Sequence, residues 1–195
     1  MKPGQALFRA GAPARPYLVL DGAVRLERSR HWKQTPAVDF AAPGDLLGVE
    51  AFDDGPHTGT AIALTSAVVA AFAEGEALRH AWLRTQTCCS LVRQRRETLA
   101  LYGERRLPAQ ARLARALIRL TSRFGGPPDD DGIVPLVIPL CHHDLAQHVG
   151  LSRVTVTQAL REFARSKAIV GRYCRYAVNP ERLTEIEEAS ILSAL

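Results

Sequence analysis

From Tyr17 to about Ala73 apolar and polar positions alternate in short runs, separated by the turn signals Asp21-Gly22, Pro43-Gly44-Asp45 and Asp53-Asp54-Gly55-Pro56, with Gly11-Ala12-Pro13 ahead of them. Short alternating strands with regular punctuation predict a small antiparallel barrel or sandwich. Asp21-Gly22, between Tyr17-Leu18-Val19-Leu20 and Ala23-Val24-Arg25-Leu26-Glu27, predicts a tight hairpin, because a type I′ turn needs two positive φ angles. Val24 and Leu26 then face a core, and Arg25 and Glu27 face outward. Pro43-Gly44 suits the central pair of a type II turn.

The pattern changes near Glu76. No proline interrupts the chain up to Leu107, and Leu, Arg, Ala, Glu and Gln dominate, which predicts one long helix over about 76–107. Its apolar line is sparse: Cys88, Leu91 or Val92, Thr98, Leu99 and Tyr102 recur at spacings of three and four, interrupted by Arg95. So narrow a stripe resembles a helix–helix seam, and self-association along it is expected. Pro108 suits the start of a second helix, Ala109 to Phe124, with Leu113, Ala114, Ala116, Leu117 and Leu120 inward. Gly125 to Gly132 is a loop, and Val134 to Pro139 reads as a short strand.

The segment Cys141 to Phe163 reads as helix, tight turn at Gly150, helix. Asp144 suits the positive end of the first helix, and Ser152 can cap the second by accepting from an unpaired backbone N–H. Val156, Leu160 and Phe163 form the buried stripe of the second helix, leaving Arg153, Val154, Thr157, Gln158 and Arg161 on the opposite face. Arg pairs bidentately with guanine, Gln with adenine, and small hydroxyls reach phosphate. Ile169-Val170-Gly171 and Arg175 to Val178, joined around Arg172-Tyr173, have the form of a wing beside that helix.

Charge sharpens this reading. The 195 residues carry 25 Lys plus Arg against 20 Asp plus Glu, with 47% apolar residues, so the chain can bury a core and wholesale disorder is excluded. Residues 1–83 are net −1, 84–108 net +4 and 109–195 net +2. Between Pro139 and Pro180 there are six basic residues and two acidic ones, a stripe that suits a polyanion. The longest uncharged stretch, Thr58 to Ala73, is too short for a membrane span, and Met1-Lys2-Pro3-Gly4 opens no secretory signal. No membrane partner and a cytoplasmic location are the expectation, and four cysteines without metal or disulfide spacing agree with a reducing compartment.

Gly150-Leu151-Ser152-Arg153-Val154-Thr155-Val156-Thr157-Gln158-Ala159-Leu160 resembles the helix-turn-helix signature of the cyclic-AMP receptor/fumarate–nitrate regulator (CRP/FNR) family of bacterial transcription factors. Gly4 to Gly11, Tyr17 to Leu26, Pro43 to Gly48 and Thr60 to Thr65 follow the family's β-roll in order and spacing. The resemblance implies an α+β fold: an N-terminal antiparallel β-roll of cyclic-nucleotide-binding type with a long dimerisation helix (1–107), then a winged helix-turn-helix (108–195). It implies a homodimer binding double-stranded DNA at a pseudo-palindromic operator, an activator that contacts RNA polymerase, and no enzymatic activity. Carried over by position, Arg153 is similar to the arginine that reads guanine, Ser152 and Thr155 match phosphate-contacting positions, and His142 stands where the receptor has a backbone-contacting arginine. The expected DNA-binding set is therefore His142, Ser152, Arg153, Val154, Thr155, Thr157, Gln158 and Arg161.

Two departures qualify the resemblance. In the roll, Val49 replaces the glutamate of the family's phosphate cassette and Thr58-Gly59 replaces its Arg-Ser pair. A buried phosphate without its cation is costly, so no cyclic nucleotide, and no other cofactor, is expected; His57 is read as a surface loop residue. In the reading helix, Val154 replaces a glutamate and Gln158 a second arginine, so an operator distinct from that of the cyclic-AMP receptor is expected. Competing readings are a ligand- or redox-responsive sensor or repressor of the same architecture, and a small-ligand module that does not bind DNA. Cys88 and Cys89 are read as small apolar packing, and Cys141, His142, His143 and Cys174 match no compact zinc pattern. His31, His57 and His80 lack the pairing of a metal-binding barrel, so no metal is expected.

Overall fold

Alternation between Ala6 and Ala71 produces strands β1 (Ala6–Phe8), β2 (Tyr17–Asp21), β3 (Val24–Arg28), β4 (Ala37–Ala41), β5 (Leu46–Leu47), β6 (Gly59–Ala63) and β7 (Val68–Ala71). They belong to a computed structural model that describes residues 1–28, 37–172 and 174–194; His31 and Tyr173 lie outside the described residues. The chain divides into two units, 1–100 and 101–195.

In the first unit the described strands form two sheets, ordered β1-β6-β3-β4 and β5-β2-β7. Val24 and Leu26 of β3 are buried with Phe8, Val19, Leu47 and Ala61, and Arg25 and Glu27 are half-buried, as their alternation predicts. Pro43-Gly44 makes the expected turn, with Gly44 at φ 87 and the Asp45 N–H donating to the Ala42 carbonyl at 3.0 Å. The Asp21-Gly22 hairpin is not formed. β2 pairs with β5 and β7 while β3 pairs with β4 and β6, so this turn carries the chain from one sheet to the other. Gly22 alone takes a positive φ there, and its glycine is demanded by a neighbour: a Cβ would lie 2.1 Å from the Ser66 carbonyl oxygen.

The long helix is divided. Helix α1 (Glu74–Arg79) ends at His80, which is extended at φ −94 and ψ 115, and α2 (Ala81–Gly103) follows. A short 3₁₀ turn, Glu104–Arg106, completes the predicted span. Directional polar bonds hold α2 to the roll. The Leu46 N–H donates to the Ser90 hydroxyl at 2.7 Å, Gln94 donates to the Leu46 carbonyl at 2.6 Å, and Arg93 pairs with the buried Asp45 carboxylate at 3.2 Å. Leu83 is buried on the same side, against Leu18, Leu46 and Phe72. Opposite them Cys88, Leu91, Val92, Leu99 and Tyr102 are exposed. Within one chain, then, Cys88 and Cys89 are not packed as small apolar residues.

The second unit is built on α3 (Ala109–Phe124), whose Leu113, Ala114, Ala116, Leu117 and Leu120 are buried as their spacing predicts. Around it lie α4 (His142–Val149), α5 (Arg153–Arg165) and α6 (Pro180–Leu192). β8 is only Val134–Pro135, because beyond it the described chain makes single bridges, Leu136 to Gly125 and Leu140 to Cys174, instead of a continuous ladder. The sheet order is β8-β10-β9, with β9 (Ile169–Arg172) and β10 (Arg175–Val178) forming the wing. Glu104, buried, receives two N–H groups of Arg119, one at 2.9 Å. Among the described residues no helix is long and apolar enough to cross a membrane.

Candidate nucleic-acid interface

Two capped helices and the turn between them make the reading element. The Cys141 thiol accepts from the Asp144 N–H at 3.3 Å and closes the start of α4; burial pushes its pKa up, so it stays a thiol. Gly150 ends α4 in the left-handed region at φ 68. Arg112 of α3 donates to the carbonyls of Val149 and, at 3.2 Å, of Gly150, placing a cation on the negative end of the α4 dipole. Past the turn the Ser152 hydroxyl accepts from the Thr155 N–H at 3.0 Å and bonds the Thr155 hydroxyl at 2.8 Å.

α5 buries Val156, Leu160 and Phe163 and so turns its other face to solvent. Arg153, Val154, Gln158 and Arg161 are exposed on that face, with Ser152 exposed and Thr155 half-buried at its start. Val154 is 66% exposed, an apolar group set among cationic and amide side chains. Arg165, Lys167, Arg172 and Arg175, all exposed, continue the positive surface onto the wing. These groups suit a polyanion with base edges in a groove.

Two residues of the expected set are hydrogen-bonded within the protein. His142 is half-buried, with Nδ1 2.8 Å from the Thr157 hydroxyl and Nε2 2.8 Å from the Tyr176 hydroxyl. Thr157, also half-buried, donates its own hydroxyl to the Arg153 carbonyl at 2.8 Å. Burial first, then the charges of Arg153 and Arg161, hold the imidazole below its ordinary pKa. Protein hydroxyls thus take both ring nitrogens of His142. Tyr176 was absent from the sequence-derived set. Alternation along β10 accounts for its burial, but no spacing links residues 142, 157 and 176.

Residues 111–186 match a Crp-like helix-turn-helix domain, and residues 1–84 match a cyclic nucleotide-binding domain. Over 172 residues the chain is 31% identical to a CRP-like cAMP-activated global transcriptional regulator of Mycobacterium tuberculosis, covering 83% of this chain and 74% of that one. The chain belongs to the CRP/FNR family of transcription regulators. Its likeness to the CRP/FNR fold runs along almost the whole length. A solved CRP/FNR-family regulator from Thermus thermophilus superposes with a TM-score of 0.77 at 25% identity, covering 97% of each chain. Nitrogen fixation regulation protein FixK of Rhizobium meliloti is 27% identical over 188 residues, 95% of this chain and 84% of its own. In this CRP/FNR-type regulator the α4-turn-α5 element is the helix-turn-helix of a DNA-binding domain.

Between Gly48 and Thr60 the roll of this CRP/FNR member buries a histidine. His57 is buried at 3% exposure, stacked on Phe8 with ring centroids 3.7 Å apart, which corrects its reading as a surface loop residue. Its Nε2 accepts from the Arg15 N–H at 3.4 Å, and its Nδ1 is buried without a hydrogen-bond partner. Burial lowers its pKa, an effect the Glu50 charge only partly offsets. Burial alone would raise the Glu50 pKa, but hydrogen bonds from the Thr58 hydroxyl and from backbone N–H groups, with the Arg28 charge, hold it below the usual value. Glu50 is therefore an anion, and it occupies the Thr58 N–H at 3.2 Å.

Because His57 is less basic folded than unfolded, the unfolded chain takes up its proton first. Stability of the roll is expected to be full above the ordinary imidazole pKa of 6.5 and to fall as pH drops below it. His57→Phe, which keeps an aromatic ring on Phe8 and cannot be protonated, should flatten that acid limb in urea titrations at pH 7.5 and 5.5. An undiminished loss in the variant would assign the acid sensitivity to other groups, His142 among them. Among the described residues, no three His, Cys, Asp or Glu side chains are grouped to hold a metal ion.

Proposed function

We propose that this regulator acts in the cytoplasm as a homodimer paired along α2, reads a pseudo-palindromic operator with α5, activates transcription through RNA polymerase and needs no cyclic AMP. The observation that carries this reading is the exposed row Arg153, Val154, Gln158 and Arg161 on a helix capped by Ser152, directly after the left-handed Gly150 that ends α4. Arg153 suits guanine, Gln158 adenine and Val154 a thymine methyl; Ser152, Thr155 and Arg161 suit phosphates. Two such helices entering successive major grooves need half-sites about 34–36 Å apart. The unpartnered apolar side of α2 supports the dimer. Activation rests on the family resemblance, with the exposed Pro127 to Gly132 loop offering a surface for polymerase.

Independence from cyclic AMP is supported by charge. The M. tuberculosis relative is named as cAMP-activated. Here, however, Glu50 already satisfies the Thr58 N–H and hydroxyl, and His57 beside it is depressed in basicity. A phosphate brought against that carboxylate would meet repulsion and compete with it for the Arg28 charge, at a cost of several kcal/mol.

Selection of bound sequences from random duplex DNA, with and without cyclic AMP, tests the reading. The expected result is one two-fold symmetric site, enriched equally in both arms, with affinity falling steeply as salt rises. Enrichment confined to the cyclic-AMP arm would overturn the independence, and no enrichment in either would overturn the operator reading.

A further inference from the structure

We propose that His142 is a positioning residue for base reading: through a one-way hydrogen-bond chain from Tyr176 to Thr157 it fastens the first turn of α5, which carries Arg153, to strand β10 of the wing. The proposal rests on the DNA-reading function above.

The direction of the chain follows from its last member. A carbonyl cannot donate, so the Thr157 hydroxyl spends its single hydrogen on the Arg153 carbonyl, 2.8 Å away. Toward His142, also 2.8 Å away, the same oxygen must accept, and Nδ1 therefore carries the ring proton. In the neutral ring Nε2 is then a bare lone pair, which receives the Tyr176 hydroxyl at 2.8 Å. Tyr176 comes from β10, His142 from the first turn of α4 and Thr157 from α5, so one ring joins three elements. The wing is thereby tied to the start of α5. The tie is made at the carbonyl of the residue whose side chain is aimed at guanine.

The charges of Arg153 and Arg161 on α5 act on the ring and Tyr176 bonds it from β10, while Cys141, His143 and Asp144 flank it on its own element. Two arginines beside the imidazole oppose a third cation there in the free protein. DNA phosphates neutralise those arginines, and the ring then gains a proton more readily. Protonation leaves the anchor intact, since Nδ1 still donates to Thr157 and Tyr176 turns its hydroxyl to accept from Nε2. DNA binding is therefore coupled to proton uptake at His142, and operator affinity rises as pH falls.

The test measures affinity for the selected operator, and for the same duplex with its half-site guanines replaced, by fluorescence anisotropy at pH 7.5 and 5.5. His142→Ala is expected to lower the operator-to-replaced ratio by about 5–10-fold while affinity for the replaced duplex changes less than about twofold. His142→Asn puts a carboxamide donor near the place of Nδ1 and should recover much of that ratio. Tyr176→Phe should cost about threefold, and combined with His142→Ala it should add nothing further. Wild-type operator affinity should rise between pH 7.5 and 5.5 by about threefold more than that of the uncharged His142→Asn variant. Equal losses on both duplexes would make His142 a direct phosphate contact and overturn the proposal. Additive losses from His142→Ala and Tyr176→Phe would also overturn it, as would a pH response unchanged in His142→Asn. A wild-type protein that does not distinguish the two duplexes fails the DNA-reading function itself, a result separate from any variant's behaviour.

Discussion

Arg153→Ala is expected to remove about 1–3 kcal/mol of operator discrimination per half-site, while binding to unrelated duplex DNA weakens only modestly. Arg153 is the first residue of α5, directly after the Ser152 cap, where a side chain leaves the helix end instead of lying along it. It is exposed, and no acidic side chain is paired with it among the described salt bridges, so its guanidinium is available to a guanine edge. Loss of a base contact changes the ratio between operator and competitor. Loss of a phosphate contact changes both and lowers the salt slope by about one. Arg161→Ala is the comparison: about two turns further along the helix, it should weaken both duplexes alike. Titrations at several salt concentrations separate the two outcomes. Parallel behaviour of the two variants would remove Arg153 from the reading set.

The second large effect is on stability. Gly22→Ala should cost about 2–5 kcal/mol, because it adds left-handed backbone strain to a collision that cannot relax. The added Cβ would meet the Ser66 carbonyl oxygen at 2.1 Å and the Ala67 Cα at 2.8 Å, both backbone. That segment is fastened from the other side: the Met1 amino group donates to the Ala67 carbonyl at 2.5 Å, and the Ala67 N–H to the Met1 carbonyl at 3.1 Å. Gly44 is the control. It has a similar φ of 87, but nothing lies within 4 Å of its Cβ position. Gly44→Ala should therefore carry only the conformational cost, about 1 kcal/mol. Urea midpoints of the two variants isolate the collision, and equal midpoints would refute it.

The same glycine marks where the sequence stopped being informative. Asp21-Gly22 between two apolar runs satisfies both a hairpin and a crossing between sheets, since either needs a tight turn and inward-facing Val24. Which strands pair depends on distant partners, Leu46 and Ala70 for Leu18, Phe40 and Ile62 for Arg25, and local alternation does not encode them. Features resting on residue-intrinsic chemistry were legible: the Ser152 cap, left-handed Gly150, and the inner faces of α3 and α5. The neighbours of His57, Asp53 to Pro56, are polar or turn-forming and point to an exposed loop, whereas its burial comes from stacking on Phe8, far away in sequence. Helix α6 carries its signal in the sequence as well. Asn179 caps it by accepting from the Arg182 N–H at 3.0 Å, and Pro180 supplies the preset φ of a first turn.

The bonds from Ser90 and Gln94 to a single residue of the roll, Leu46, set the azimuth of α2. A greasy stripe lets a helix roll about its own axis by tens of degrees at little cost, but bonds to both the N–H and the carbonyl of Leu46 act as a key in a slot. The bearing on which Val92 and Leu99 point away from the roll is thereby fixed by bonds to main chain, with Leu83 packed on the same side. At the radius of the helix surface, sliding that slot by about 1 Å would swing the bearing by roughly 10°. Any device that moved the short strand Leu46–Leu47 would thus re-aim the far side of the helix without touching it.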